Sequence, residues 1–360
     1  MRVSAFMLWP LLAFALLGCK DQTPEGQEAA TPVTALQWKM VTTWPKNAPG
    51  TGMAAEHLAQ RINAMSGGRL TVKVYAAGEL VPAMEVFDAV SRGTAEMGHG
   101  TPYYWKGKVP AAQFFGAVPF GLSTLEMNAW LHKGGGQALW DEAYAPFSVK
   151  PFAAGNSTMQ MGGWFNKEIH SVADIKGLKV RMPGLGGEVW DQLGATTVNL
   201  PGGEIFTALQ TGAIDATDWV SPYNDLAFGL HRAAKYYYAP GWQEPQSVLE
   251  LIVNQQALDS LPADLQAIVV EASRASTLDM MDDYVFNNAQ ALQSLIEQGV
   301  QIRRFPDEVL QQMQRASEQV LADLAGQSEL NGRIWASMNA YQDLATSMQQ
   351  LTEQELYNWR

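Results

Sequence analysis

Short, apolar, β-rich runs alternate with stretches of helical period, a glycine marks most of the changes, and the alternation occurs twice along the chain. In the first round Leu36–Thr43 reads as a strand, Gly50–Ser66 as a helix and Leu70–Tyr75 as a strand. Ala83–Arg92 follows as a helix and Ala95–Gly98 as a short strand. Such an order predicts a doubly wound, largely parallel α/β sheet. The pattern restarts near Gly155, with strands at Met159–Asn166, Leu178–Pro183 and Thr197–Leu200 and helices at Gly187–Leu193 and Glu204–Thr211. Gln246–Asn254 is apolar and long enough to cross between two lobes. Helices are expected at Ala263–Asn287 and Asp307–Gln350, with a strand, Gln301–Phe305, between them. The expectation is an α/β protein of two lobes. Residues 36–158 with a returning segment 248–286 form the first, residues 159–247 with a returning segment 287–306 the second, and helices at 307–360 follow. A cleft between such lobes is the usual place for a small ligand.

The N-terminus fixes an expected compartment. Arg2 is followed by an apolar run, Ala5–Leu17, too short to span a bilayer as a stable helix, so residues 1–18 read as a secretory signal. Leu16-Leu17-Gly18-Cys19 resembles a lipobox, in which the thiol of Cys19, the only cysteine, would be lipidated; the alternative is an ordinary signal cut slightly later. Residues 19–35 are polar and free of aromatics, as in a flexible tether. Without another cysteine the mature chain excludes disulfides and cysteine catalysis. A formal charge of −12 argues against nucleic acid and anionic lipid as partners.

The stretch Leu209–Asp225, LQTGAIDATDWVSPYND, sets Asp215, Asp218, Trp219 and a Pro-Tyr step between apolar segments. Carboxylate and carbonyl oxygens beside a rigid aromatic suit a hard cation held with a small ligand. Arg181 stands at a predicted strand end, where a guanidinium meets a carboxylate through two parallel hydrogen bonds; its bland alternative is a surface ion pair. Gln160, among methionines, offers a carbonyl oxygen to a cation or bonds to the backbone. Asn156 is a ligand donor or a loop cap. Tyr103 and Tyr104 carry phenols at the end of the third strand, either facing the ligand or divided between core and surface. Phe206 and Trp242 are apolar walls or ordinary core, and Tyr236–Tyr238 reads as structure. Glu244, in GWQEP, adds a further oxygen.

WKMVTTWP, SGGRLTVKVYAAGEL, NSTMQMGGWFNKEI, GLKVRMPGLGGEVW and ALQTGAIDATDWVSPYNDLAFGLHRAAKYYYAPGWQEP, in that order, resemble the solute-binding subunit of TRAP transporters, the DctP-like family. The resemblance is greatest to the branch that binds 2-oxo and 2-hydroxy monocarboxylates together with a metal cation. It implies a two-lobed, hinged periplasmic binding protein of type II-like architecture, delivery of ligand to a membrane permease, and no catalysis. It implies Arg181 as the carboxylate clamp, Gln160 as a cation ligand, and Asp218 with the backbone carbonyl of Trp219 as further ligands, the indole walling the pocket. Many members carry glutamate where this chain has Asp218, one methylene shorter. Two carboxylates and an anionic ligand against one arginine favour calcium, with sodium as the alternative. A long C-terminal helix pairs protomers in several members, implying a homodimer through the helices from Asp307 onward.

Other chemistries lack their residues. The five histidines never pair at the spacing of a helical metalloenzyme site. Met159 stands where a nucleophile elbow around Ser157 would need glycine, and Val189 replaces the third glycine of a dinucleotide fingerprint. A metal-dependent lyase would need a tuned general base, and no histidine accompanies the cation motifs. Larger acids such as uronates, sialic acid or dicarboxylates remain alternative ligands, and a sensory subunit presenting its ligand to a kinase is an alternative role.

Overall fold

Eleven strands form two sheets in the computed structural model, which describes residues 35–360. The expected signal, Cys19 and all of the tether except Ala35 lie outside the described residues. Strands β1 (Leu36–Thr42), β2 (Leu70–Tyr75), β3 (Met97–Gly100) and β4 (Val149–Asn156) belong to the first sheet. Strands β5 (Gly163–Phe165), β6 (Lys179–Arg181), β7 (Thr196–Val198), β8 (Ala216–Thr217) and β9 (Tyr236–Ala239) belong to the second. Strand β10 (Val248–Asn254) returns to the first sheet and β11 (Gln301–Arg304) to the second, giving the orders β2-β1-β3-β10-β4 and β11-β9-β5-β8-β6-β7.

Each sheet is largely parallel, as the sequence predicts, except for one reversed strand, β10 in the first and β5 in the second, which the sequence does not predict. β1 is parallel to β2 and β3, but β10 is antiparallel to β3 and β4. In the second sheet β6 is parallel to β7 and β8, while β5 runs against β8 and β9. Parallel neighbours arise where a helix returns the chain to the same end of a sheet. β5 and β10 instead enter from the other sheet, so no helical crossover fixes their direction. All seven residues of β10 are buried, as a strand covered on both faces requires.

Three other boundaries move. The strand expected at Met159–Asn166 shrinks to Gly163–Phe165; residues 157–162 form an irregular segment in which Thr158 adopts a left-handed φ of 58°. The helix expected at Ala263–Asn287 extends over Ala263–Glu297 and packs on β4 and on both Thr51–Met65 and Pro222–Ala227. The C-terminal run divides into Asp307–Gly326 and Glu329–Gln349, the second capped by the Ser328 hydroxyl, which accepts from the Asn331 amide at 3.1 Å.

Asn224 joins the two halves, donating to the Pro49 carbonyl at 2.7 Å, while the Tyr223 amide donates to Asn288 Oδ1 of the long helix at 3.0 Å. The segment joining β9 to β10, residues 240–247, runs beneath this junction, and every one of its residues but Pro240 is buried.

Candidate ligand and cation site

Sheet pairing brings Arg181 and Asp218 together. β6 and β8 are parallel neighbours with Arg181 opposite Thr217, and the Asp218 amide continues the ladder by donating to the Arg181 carbonyl at 3.0 Å. Arg181 is only 1 % exposed. Its Nη1 donates to the main-chain oxygen of Asp218 at 2.6 Å, its Nε to the Leu200 carbonyl at 3.2 Å and its Nη2 to the Tyr104 hydroxyl at 3.4 Å. A guanidinium carries five N–H donors, so two are left without a partner among the described residues. Among the described residues Arg181 forms no ion pair. A buried cation without an anion is costly, and a ligand carboxylate would offset that cost.

Facing it are oxygens in the same predicament. Gln160 is held by backbone and side chain: its amide donates to the Glu244 carbonyl at 3.1 Å, and its Nε2 donates to Glu244 Oε2 at 2.6 Å and Ser157 Oγ at 3.1 Å. That orientation leaves Gln160 Oε1 buried and unpartnered. Gln243 donates through Nε2 to the Met161 carbonyl at 2.8 Å and to Asp218 Oδ1 at 3.3 Å, leaving its own Oε1 and Asp218 Oδ2 unpartnered. The Trp219 carbonyl accepts no hydrogen bond among the described residues. Two close approaches hold this geometry: a Cβ on Gly241 would lie 2.1 Å from the Gln160 carbonyl oxygen, and one on Gly202 would lie 2.3 Å from the Trp219 ring. Glycine is the residue that permits both.

Tyr103 and Tyr104 come from the first-sheet side. The Tyr103 hydroxyl donates to Glu244 Oε2 at 3.4 Å. Burial raises the pKa of both phenols, so they remain donors. Trp44, Tyr103, Tyr104, Ser157, Gln160 and Trp219 line a narrow cavity of about 20 Å³, and the Arg181 guanidinium lies 5.5 Å from the Trp219 ring.

Electrostatics identify what is missing from the donor set. Burial pushes the Asp218 carboxyl up to about 7, against the lowering effect of Arg181. Burial, and then the neighbouring Asp218, hold Glu244 well above the usual carboxylate range. Two carboxylates so placed resist ionising together, and a cation between them removes the conflict. The donors are oxygens throughout, suiting a hard ion. Among the described residues no cluster of three His, Cys, Asp or Glu side chains forms, as a thiolate or imidazole centre would require. Three unpartnered buried oxygens therefore fit a hard cation.

Not every sequence candidate arrives here. Asn156 donates to Gln246 Oε1 at 2.7 Å and accepts from the Thr158 amide at 2.9 Å, so its amide braces the irregular segment. Phe206 is half-buried under the Arg232 guanidinium, outside the residues that line the cavity. Trp242 stacks on Phe120 and tilts against Trp190 within the core. Gln243, Trp44, Ser157 and Ser247 were not singled out as site residues. Only the adjacency of Gln243 to Glu244 hints at its place, because the residues between β9 and β10 have no period from which a side chain's direction follows.

Comparison with known proteins supplies the family. Residues 40–327 match the family described as bacterial extracellular solute-binding protein, family 7. The chain is 42% identical over 327 residues to a monocarboxylate 2-oxoacid-binding periplasmic protein of a Nostoc species, covering 91% of this chain and 89% of that one. It superposes on a TRAP periplasmic solute-binding protein from Pseudoalteromonas atlantica with bound sodium and pyruvate, with a TM-score of 0.88 and 40% identity over 90% of this chain and 99% of that one. Another similar structure, a TRAP solute-binding protein from Bordetella bronchiseptica, is a dimer with copurified calcium and picolinate; the TM-score is 0.89 at 34% identity, covering 90% and 97%. Two sheets, a crossing strand and the long helices thus recur in relatives that hold a small acid with an ion. The chain belongs to family 7 of the bacterial extracellular solute-binding proteins, the periplasmic solute receptors of TRAP transporters.

Proposed function

We propose that the chain binds a small 2-oxo or 2-hydroxy monocarboxylate, pyruvate or lactate in size, together with a cation, and delivers it to its membrane permease without chemical turnover. One observation carries the reading: a buried arginine with no ion pair stands beside three unpartnered buried oxygens. Arg181 holds the carboxylate with its two remaining N–H groups, and Tyr103 and Tyr104 donate from the first-sheet side. Gln160 Oε1, Asp218 Oδ2, the Trp219 carbonyl and Glu244 hold the cation, with Gln243 Oε1 as a further donor. A cation held there would supply the charge that lets Asp218 and Glu244 ionise together and would offer a counter-charge to the ligand's oxygens. Pyruvate and picolinate, the acids of the two compared structures, both carry a donor atom on the carbon that bears the carboxylate, as chelation of an ion requires. Calcium is favoured over sodium because two carboxylates and an anionic ligand face a single arginine.

Lobes at residues 36–158 with 248–286, and 159–247 with 287–306, close over the ligand, and the permease engages the closed form. Leu344, Met348 and Leu351 share an exposed apolar face that continues to Leu356 and Trp359. This face pairs two protomers through the C-terminal helices. Cys19 carries a lipid after removal of residues 1–18, so the receptor is tethered to a membrane; a Cys19→Ser chain recovered in the same membrane fraction as wild type would overturn this. Native mass spectrometry of the purified receptor tests the central reading: a retained mass equal to one small acid plus one cation is expected, and an acid bound without an ion would reject it. Pyruvate or lactate incubated with the purified protein should be recovered unchanged.

A further inference from the structure

The carboxylate of Asp225 has no role in the reading above, and neither have the two aromatic rings beside it. Trp164 and Tyr237 are fully buried and stack with centroids 4.0 Å apart. Trp164 Nε1 and the Tyr237 hydroxyl both donate to Asp225 Oδ2, at 2.9 and 2.6 Å. The other oxygen, Oδ1, accepts from the Val220 amide at 3.3 Å. Every one of these partners donates, which favours the ionised carboxylate.

The Val220 N–H belongs to the same peptide unit as the Trp219 carbonyl. A trans peptide is planar, with N–H and C=O pointing opposite ways, so an N–H fixed toward Asp225 aims the carbonyl away from it. A carboxylate at the N–H end also polarises the amide and makes its oxygen a better donor to a cation. That carbonyl accepts no hydrogen bond among the described residues, whereas the preceding one, of Asp218, is occupied by Arg181 and by the Thr217 hydroxyl.

We propose that Asp225 is a positioning residue for the cation: it holds the Trp219–Val220 peptide so that the Trp219 carbonyl faces the ion, and its buried negative charge favours a divalent over a monovalent one. The proposal rests on the reading of the Trp219 carbonyl as a cation ligand. Outer carboxylates of this kind orient and tune the groups that touch a metal.

Calcium or sodium is titrated into chelator-stripped wild type, Asp225→Asn and Asp225→Glu by calorimetry, with pyruvate saturating. Asp225→Asn is expected to lose about 10–100-fold in calcium affinity. Because the Coulomb term scales with ionic charge, its loss for sodium is expected to be about 3–10-fold. Asp225→Glu, which keeps the charge, is expected to keep the calcium preference at reduced affinity. Equal losses for the two ions in Asp225→Asn, or no loss, would overturn the proposal. Should Asp225→Asn give no cooperative melt, Asp225→Glu decides alone: a lost preference overturns, a kept one supports. A wild type whose pyruvate binding ignores both ions would reject the cation reading and this proposal with it. An ion-dependent wild type with an unshifted Asp225→Asn would reject this proposal only.

Discussion

Arg181 and Asp218 meet through the backbone rather than as an ion pair. The guanidinium donates 2.6 Å to the main-chain oxygen of Asp218, while the carboxylate of the same residue turns to Gln243 and leaves Oδ2 without a partner. A direct pair would satisfy both charges internally and leave no demand for a ligand or an ion. Separating them leaves, on the proposed reading, one charge for an anion and the other for a cation.

Replacing Arg181 by methionine should therefore abolish the thermal shift caused by pyruvate while costing the unliganded protein little. Loss of a charge-assisted pair costs about 2–4 kcal/mol, or roughly 30–1,000-fold in affinity. The uncompensated buried charge disappears with the side chain, so the ligand-free melting temperature should not fall in proportion. An undiminished shift would remove Arg181 from the ligand.

Cation binding should weaken with acid. The site's carboxylates must be ionised to hold the ion, and Asp218 is pushed up to about 7, so below neutrality a proton has to be displaced. Calcium affinity should fall as pH drops from 8 to 5.5, by up to about tenfold per unit for each proton released. In the stripped protein the sign is opposite. A carboxyl raised above its unfolded value of 3.8 stabilises the fold while protonated, and that contribution is lost as pH rises from about 4 through about 7. Melting curves at pH 5.5 and 8 should show a larger calcium-plus-pyruvate shift at pH 8; an equal shift would count against Asp218 as a ligand.

Gly202→Ala should damage binding without touching a polar group. Its Cβ would lie 2.3 Å from the Trp219 ring, so the indole must move, carrying the adjoining carbonyl with it. Overpacking of this kind costs about 1–3 kcal/mol. We expect a weakened pyruvate titration and altered tryptophan emission, and a variant binding as wild type would show that the indole wall is dispensable.

Charge introduced at the C-terminal face should separate protomers. Leu351 is 79 % exposed and Trp359 82 %. Leu351→Glu with Trp359→Glu should move the receptor to monomer mass in sedimentation while leaving pyruvate affinity within about twofold, since neither residue approaches the cavity. Identical sedimentation of variant and wild type would place any association elsewhere.

The sequence carried the α/β class and two sheets because strands β1 and β2 and the helix Thr51–Met65 have clean periods. Resemblance ties Arg181, Asp218, Gln160 and Trp219 to motif words, Glu244 is read from its own carboxylate, and the structure brings those five into one region. Strand direction was not legible: nothing local in β5 or β10 records that the chain has just changed sheets. Gln243 was missed because it sits in a buried irregular segment, where no repeat indicates which way a side chain points. For Asn156 and Phe206 the sequence left two readings open, because a polar or aromatic residue near a motif need not face the cleft; Asn156 braces its loop and Phe206 lies outside the cavity lining.

The oxygens proposed for the ion, from Gln160, Asp218, Trp219, Gln243 and Glu244, all lie between β4 and β10, and the first-sheet side contributes phenols and an indole. An ion seated there could stay put while the jaws part. Parting the jaws would then strip the tyrosine contacts from the acid first, leaving it on Arg181 and the ion alone, within reach of a transporter.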